Sequence, residues 1–201
     1  MDLLIATGNP GKLREYQALL AEAPVHLLDL NAVGLVAMDV EENAGTLAGN
    51  AILKAEAYAQ ASGLTALGDD TGLFVDALDG APGIYAARFG GPDLTMAQKR
   101  QKLLAELAET PDARRTARFK CVIALAHDGQ METVEGVCEG HIAWAESEGS
   151  AGFGYDAIFI AEGYDIPWSQ VPPEVKNRIS HRGQAARKII PVLKRLAAEG
   201  G

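Results

Sequence analysis

Residues 66–91 read ALGDDTGLFVDALDGAPGIYAARFGG, so that two adjacent carboxylates and a hydroxyl, Asp69, Asp70 and Thr71, stand where a short apolar run ends. Ala66 and Leu67 have the character of a buried strand, residues 73–75 continue it, and Asp79-Gly80 is turn chemistry. The acids therefore belong inside a sheet or at its lip. A carboxylate there must be paired, hydrogen-bonded or bound to a metal, because burying it alone is far too unfavourable. Side chains alternate across a strand, so Asp69 and Asp70 address opposite faces, and Thr71 shares the face of Asp69 if the strand runs unbroken. Two readings stay open at this point. Either one of the acids does chemistry, or a strand simply ends in an Asp/Gly turn.

Upstream, the apolar residues 3–6 lead into Thr7-Gly8-Asn9-Pro10-Gly11-Lys12, and Leu13, Tyr16, Gln17 and Leu20 then recur along one helical stripe. Asn9 suits the N-cap and Pro10 the first helical position, which aims backbone N–H groups at the loop with Lys12 beside them. Such a strand, loop and helix is suited to phosphate. It is not a Walker loop: two residues separate Gly8 from Gly11 where four are needed, and Leu13 stands where Ser or Thr is required. Standing alone, it would be read as an ordinary capped helix start. Residues 25–30 are expected to form a second strand and residues 35–40 a third, delivering Glu41-Glu42. A helix is expected over 46–62 with Gly63 as its stop, placing Lys54 in solvent or towards a cleft.

Downstream, Thr95 with Gln98 predicts a capping box opening a helix that reaches Leu107. Residues 114–118 read as a short, solvated basic turn. Residues 119–126 and 131–137 form a hairpin across Asp128-Gly129. The stretch 149–156, GSAGFGYD, is too rich in glycine for a regular element; it suits close approach to a ligand, with Phe153 and Tyr155 offering flat faces. A strand is expected over 157–160 and a structured loop over 164–173. Ser180 is expected to cap a last helix that turns Ile189, Ile190, Leu193 and Leu196 inward and carries Pro191. His181 and Arg182 open that helix, where cations oppose the macrodipole, so a ligand explains them better than helix stability does.

Composition narrows the function. With 201 residues and 48% hydrophobic content the chain is one domain or two closely packed lobes with a proper core. Eighteen Lys and Arg against 27 Asp and Glu leave a net charge of −9, which argues against gripping nucleic acid by its phosphates and leaves room for a small polyanion held through a cation. No apolar run has transmembrane length and the amino terminus has no signal-peptide pattern, so no membrane is expected and the location is expected to be cytoplasmic. Cys121 and Cys138 are expected as buried free thiols; no Cys/His spacing suggests zinc.

Taken together, TGNPGK, NAILKA, GDDTGL with GAPGIYAARFGG, GFGYD and SHRGQA, in this order over nearly the whole chain, resemble the inosine triphosphate pyrophosphatase family in its bacterial dITP/XTP branch. The resemblance implies an α/β protein of two lobes around a long twisted mixed sheet with a central substrate cleft, and a homodimer. It implies Mg²⁺-dependent hydrolysis of ITP, dITP and XTP to the monophosphate and pyrophosphate, removing them from the nucleotide pool. Carried onto this chain, Thr7, Gly8, Asn9, Pro10, Gly11 and Lys12 would bind the triphosphate, assisted by Lys54. Glu41 and Asp70 would hold Mg²⁺, with Asp70 also the proton acceptor. Thr71 would contact substrate, and Phe153, Gly154, Tyr155, Asp156, Lys176, His181 and Arg182 would enclose the nucleotide. The chain departs from the pattern at Gly49, where an acid is frequent, at Ala157, where proline is usual, and over 164–173.

Three functions compete on this footing. Pyrophosphohydrolysis aims water at the α-phosphorus, a phosphatase would release only the terminal phosphate, and a nucleotide sensor would bind without turnover. A haloacid-dehalogenase-type phosphatase is disfavoured, because its acids stand two apart and these are adjacent. For the base, donors on His181 and Arg182 are expected to face the C6 oxygen of hypoxanthine or xanthine, with Phe153 stacked on the ring.

Overall fold

The structure, a computed structural model, describes residues 1–148 and 152–199. Its strands are β1 (Asp2–Ile5), β2 (His26–Leu28), β3 (Thr65–Val75), β4 (Pro82–Gly83), β5 (Thr116–His127), β6 (Gln130–Ile142) and β7 (Phe159–Ala161). Its helices are α1 (Pro10–Leu19), α2 (Leu47–Ser62), α3 (Met96–Glu106), α4 (Pro173–Ile179) and α5 (His181–Glu199). The strands form a mixed sheet in the order β2-β1-β3-β5-β6-β7, with β4 on β3, so the expected α/β class holds. The chain divides into two compact units: Met1–Asp70 with Cys121–Gly136 and the chain from His181 onward, and Thr71–Lys120 with Val137–Ser180.

In the first unit β1 is parallel to both neighbours, Leu3 lying opposite Leu27 of β2 and Thr65 of β3. The chain reaches β2 through α1 and β3 through α2, on opposite sides of β1, so right-handed crossovers place the two helices on opposite faces. The side chains agree. Leu3, Ile5 and Leu67 pack with Tyr16 and Leu20 of α1 and Ala185, Ile189 and Leu193 of α5. Leu4, Ala6 and Ala66 belong instead to a cluster with Tyr58 of α2.

Helix α2 follows its expected bounds. Thr46 caps it by accepting from the Gly49 amide at 3.0 Å, and Gly63 ends it in the left-handed region at φ 71°. Two glycines admit helices onto the sheet. A Cβ at Gly68 would lie 2.5 Å from the Ala51 carbonyl oxygen, and one at Gly136 would lie 2.0 Å from that of His181. Any larger residue at 68 would push α2 away from the acids that follow. Residues 35–40 are not a strand: their backbone makes turn bonds, Leu35 to Leu30 and Met38 to Leu35. Leu35, Met38 and Val40 pack on the α2 cluster, and the Tyr58 hydroxyl donates to the Met38 carbonyl at 2.7 Å, which accounts for their apolar character without a ladder.

The β5 to β6 connection is the expected two-residue turn, with Asp128 and Gly129 both at positive φ (47° and 74°). In the second unit Phe119 stacks on Trp168 with ring centroids 5.2 Å apart, and Phe159 packs against both. Trp168 comes from the expected loop over 164–173 and is fully buried. The basic stretch 114–118 is not simply solvated. Arg115 is 1% exposed, donates to the carbonyls of Leu107 (2.7 Å), Ile142 (2.9 Å) and Ala143 (2.7 Å), and lies over the Trp144 ring. Its guanidinium thus ties the end of α3 to the end of β6. Arg118 pairs with Asp76 and Glu139. The capping box at Thr95 and Gln98 is present. Helix α4, with Pro173 in its first turn, lies where no helix was expected and carries Lys176. Cys121 and Cys138 are buried and free. No helix among the described residues is long and apolar enough to cross a membrane.

Candidate active site

Leaving β1 in two directions creates a reversal of strand order, and open α/β sheets bind ligands in the crevice outside the carboxyl ends of strands at such a point. TGNPGK follows β1 there. Beyond the pairing of Ile5 with Leu67, β3 runs on unbroken into Asp69 and Asp70. The loop is rigidly capped: Asn9 Oδ1 accepts from the amides of Gly11 (2.8 Å) and Lys12 (3.3 Å), and Thr7 Oγ1 accepts from the Asn9 amide. The cap thus engages two amides that the sequence left for phosphate, and the Lys12 side chain becomes the chemical handle of the loop.

The alternation along β3 gives its two acids different surroundings. Asp69, 2% exposed, receives Lys12 Nζ on Oδ1 at 2.8 Å, and Arg182 Nε at 3.0 Å together with the Cys121 thiol on Oδ2. Burial by itself would raise its pKa, but the charges of Lys12, Arg182 and Lys54 outweigh that and hold the carboxyl far below the usual range. Asp69 is therefore an anchor whose ionised form its neighbours favour, with both oxygens engaged.

Asp70, on the α2 face, accepts from Asn50 Nδ2 at 3.0 Å and from Lys54 Nζ at 3.5 Å. Burial dominates here and raises its pKa, against the pull of Lys54 and the Asn50 hydrogen bond, with Glu42 adding to the rise. Asn50 is fully buried, and its Oδ1 accepts from the Ala44 amide at 3.1 Å, so it ties the chain before α2 to Asp70. Lys54 completes the bridge by donating to Glu42 at 2.7 Å. Its own pKa rises because Asp69, Asp70 and Glu42 outweigh its burial. Glu41 is exposed, and the acid held towards Asp70 through Lys54 is Glu42. Among the described residues no group of three or more His, Cys, Asp or Glu is arranged to hold a metal. Two carboxylates converging on one ammonium nevertheless fit a hard cation that takes its remaining ligands from water and phosphate. Gly49 is set by packing, since a Cβ there would lie 2.4 Å from that of Ala44.

Arg182 is 1% exposed, and its donors meet Asp69 and Glu15 of α1. Those carboxylates compensate a cation that the α5 amino terminus opposes. His181 beside it is buried. In the second unit Asp156 Oδ2 accepts from the Phe153 amide and from Lys176 Nζ, both at 2.7 Å. Lys176 Nζ also lies 5.0 Å from the Phe153 ring centroid and 5.2 Å from that of Trp168. The start of the glycine-rich loop, 149–151, falls outside the described residues. Thr71 continues β3 directly after Asp70.

Sequence reading missed Asn50, Glu42, Glu15 and Trp168. Spacing carried a signal for two of them: Asn50 and Lys54 are four apart on α2, and Lys12 and Glu15 three apart on α1, so each pair shares a helix face.

A sequence profile of the Ham1 family matches residues 3–192. The chain belongs to the Ham1 family. It is 44% identical over 198 residues to a dITP/XTP pyrophosphatase of Desulforamulus reducens, covering 98% of this chain and 97% of the relative. It is also 44% identical to one of Streptomyces coelicolor, covering 96% and 98%. The fold of a HAM1 protein from Coxiella burnetii superposes with a TM-score of 0.86 at 37% identity, covering 97% of this chain and 99% of that one. Family membership accords with the motif resemblance, and the mixed sheet accords with the fold it implied.

Proposed function

We propose that this member of the Ham1 family hydrolyses ITP, dITP and XTP to the nucleoside monophosphate and pyrophosphate with Mg²⁺, clearing them from the nucleotide pool. The observation that carries the reading is the inequality of the two aspartates. Asp69 is saturated by cations, whereas Asp70 has a raised pKa beside a lysine and a second carboxylate. A general base works best when its pKa is drawn towards the operating pH, and burial moves Asp70 in that direction.

Asp70 and Glu42 would hold the Mg²⁺, with exposed Glu41 next in the chain; when bound, the ion neutralises phosphate charge and polarises the phosphoryl oxygens. Lys12 and Lys54 bind the phosphates, supported by the capped loop of Thr7, Gly8, Asn9, Pro10 and Gly11. Asp70 takes the proton of a water whose oxygen bonds to the α-phosphorus as the bond to the leaving pyrophosphate breaks. Phe153 stacks on the purine, with Gly154, Tyr155, Asp156 and Lys176 shaping its surroundings and Thr71 touching substrate. Arg182 acts through Asp69 and not on the base. A homodimer is part of the same reading, and light scattering tests it.

The deciding experiment is product analysis with ITP, XTP and ATP in Mg²⁺. Pyrophosphate from ITP and XTP is expected; orthophosphate without pyrophosphate would replace the reading with a phosphatase, and tight binding without turnover with a sensor. Asp70→Asn is expected to lose roughly two to four orders of magnitude in activity while keeping its fold. Near-normal turnover would remove Asp70 from the mechanism.

A further inference from the structure

Helix α3 contributes nothing to the chemistry outlined above, yet two adjacent basic residues of it are engaged with loops. Lys99, 6% exposed, donates to the Ala87 carbonyl at 2.7 Å. Arg100 donates through NH1 to the Gly154 carbonyl at 2.7 Å and through Nε to Glu146 at 2.9 Å, with a second contact to the same carboxylate. Neither bond stabilises α3 itself.

We infer that Arg100 is a positioning residue for the loop at Phe153–Asp156, setting how firmly it holds the purine; the inference rests on the reading of that loop as the base-holding part. Three residues of the loop are each fixed by a different partner. The Phe153 amide is held by Asp156, the Gly154 carbonyl by Arg100, and the Tyr155 hydroxyl donates to the Ala86 carbonyl at 2.9 Å. The Arg100 bond falls at the weakest point, because Gly154 sits at φ 62° and glycine has the widest choice of other conformations. Releasing that carbonyl frees the Gly154–Tyr155 peptide, one residue beyond Phe153, to rotate, which blurs the position of the ring. The arrangement is held ready in advance: the capping box fixes the start of α3, and Lys99 pins Ala87 next to the Ala86 carbonyl that Tyr155 uses. Arg suits the task because its planar fork serves a carbonyl and a carboxylate at once, which an ammonium on a flexible stem does poorly.

A residue that only places a base-stacking ring contributes equally to ground-state and transition-state binding, so its loss appears in KM and not in kcat. The test is steady-state hydrolysis of ITP by Arg100→Met, which keeps the aliphatic length and removes the donors. On the scale of a lost charge-assisted hydrogen bond, KM is expected to rise about ten-fold or more with kcat within about three-fold, and the melting temperature should remain close to that of the unsubstituted protein. KM within two-fold of the unsubstituted protein overturns the inference. So does an unchanged KM with kcat and melting temperature falling together, the signature of a merely structural role. Should Arg100→Met fail to fold, Arg100→Lys decides in its place by the same criteria. If the unsubstituted protein releases no pyrophosphate from ITP, the base-holding reading fails first and takes the inference with it, which is a different result from an unaltered KM in the variant.

Discussion

Replacing each aspartate of the pair by asparagine should have opposite consequences for stability. Asp69 is buried with Lys12 and Arg182, and Arg182 is itself 1% exposed. Removing one member of a buried ion pair usually costs about 3–5 kcal/mol, because a charge is left uncompensated. Glu15 still faces Arg182 after the change, which points to the lower end, about 3 kcal/mol. For a chain of this length about 1 kcal/mol moves the melting temperature by roughly 2–4 °C, so Asp69→Asn should melt about 6–12 °C lower at pH 7. Asp70 differs in sign. Its folded pKa is raised, so its ionisation opposes folding once the pH exceeds the unfolded value of about 3.9, and Asp70→Asn removes that penalty. That variant should match or exceed the parent in stability, by a margin that grows as the pH rises from about 4 through the raised pKa. Asp69 behaves conversely: its depressed pKa contributes stability that is present above about 3.9 and is lost as the pH falls through the folded value. The assay is thermal and urea unfolding of the three metal-free proteins between pH 4 and 8. Equal destabilisation by the two substitutions, or a greater loss for Asp70→Asn, would refute the division of labour along β3.

Arg182→Ala should lower kcat/KM for ITP, XTP and ATP in equal proportion, because its donors face Asp69 and Glu15; a selective loss for ITP and XTP would restore the base-reading role that the sequence suggested. Arg115→Met should destabilise the protein by about 3 kcal/mol in urea unfolding, since it removes a donor from each of three carbonyls, of which that of Leu107 keeps the Thr110 amide; a change under about 1 kcal/mol would mean that water replaces it. Burial, reinforced by Glu139 and Glu162, pushes the Cys138 thiol up to about 12. Cys121 is fully buried, so neither cysteine should react with a thiol reagent at pH 8 until the protein is unfolded; titration with a chromogenic disulfide checks this.

What the sequence disclosed follows a physical dividing line. Local chemistry was legible: the Asn9 cap, the Thr46 to Gly63 bounds of α2, the Thr95 box and the Asp128-Gly129 turn are each decided by a few neighbouring residues. Alternation along β3 likewise announced that its acids face different ways. Long-range partners were not legible, since nothing local joins Asp69 to Arg182 or Arg115 to Ile142. The strand expected at 35–40 failed for the same reason. Its apolar residues are needed to cover α2, and a single sequence does not distinguish that demand from a buried ladder.

The first unit is assembled from three separate stretches of chain, and α5, which closes its core with Ile189 and Leu193, comes from the third, so it is synthesised after the other two. Until α5 leaves the ribosome, Asp69 lacks Arg182, and Leu3, Ile5 and Leu67 have the cover of α1 but not that of α5. No amino-terminal fragment that stops before residue 181 contains the whole first unit. A message cut short before residue 181 therefore yields a chain with a partly uncovered apolar sheet face and an under-compensated acid, which makes it material for proteolysis.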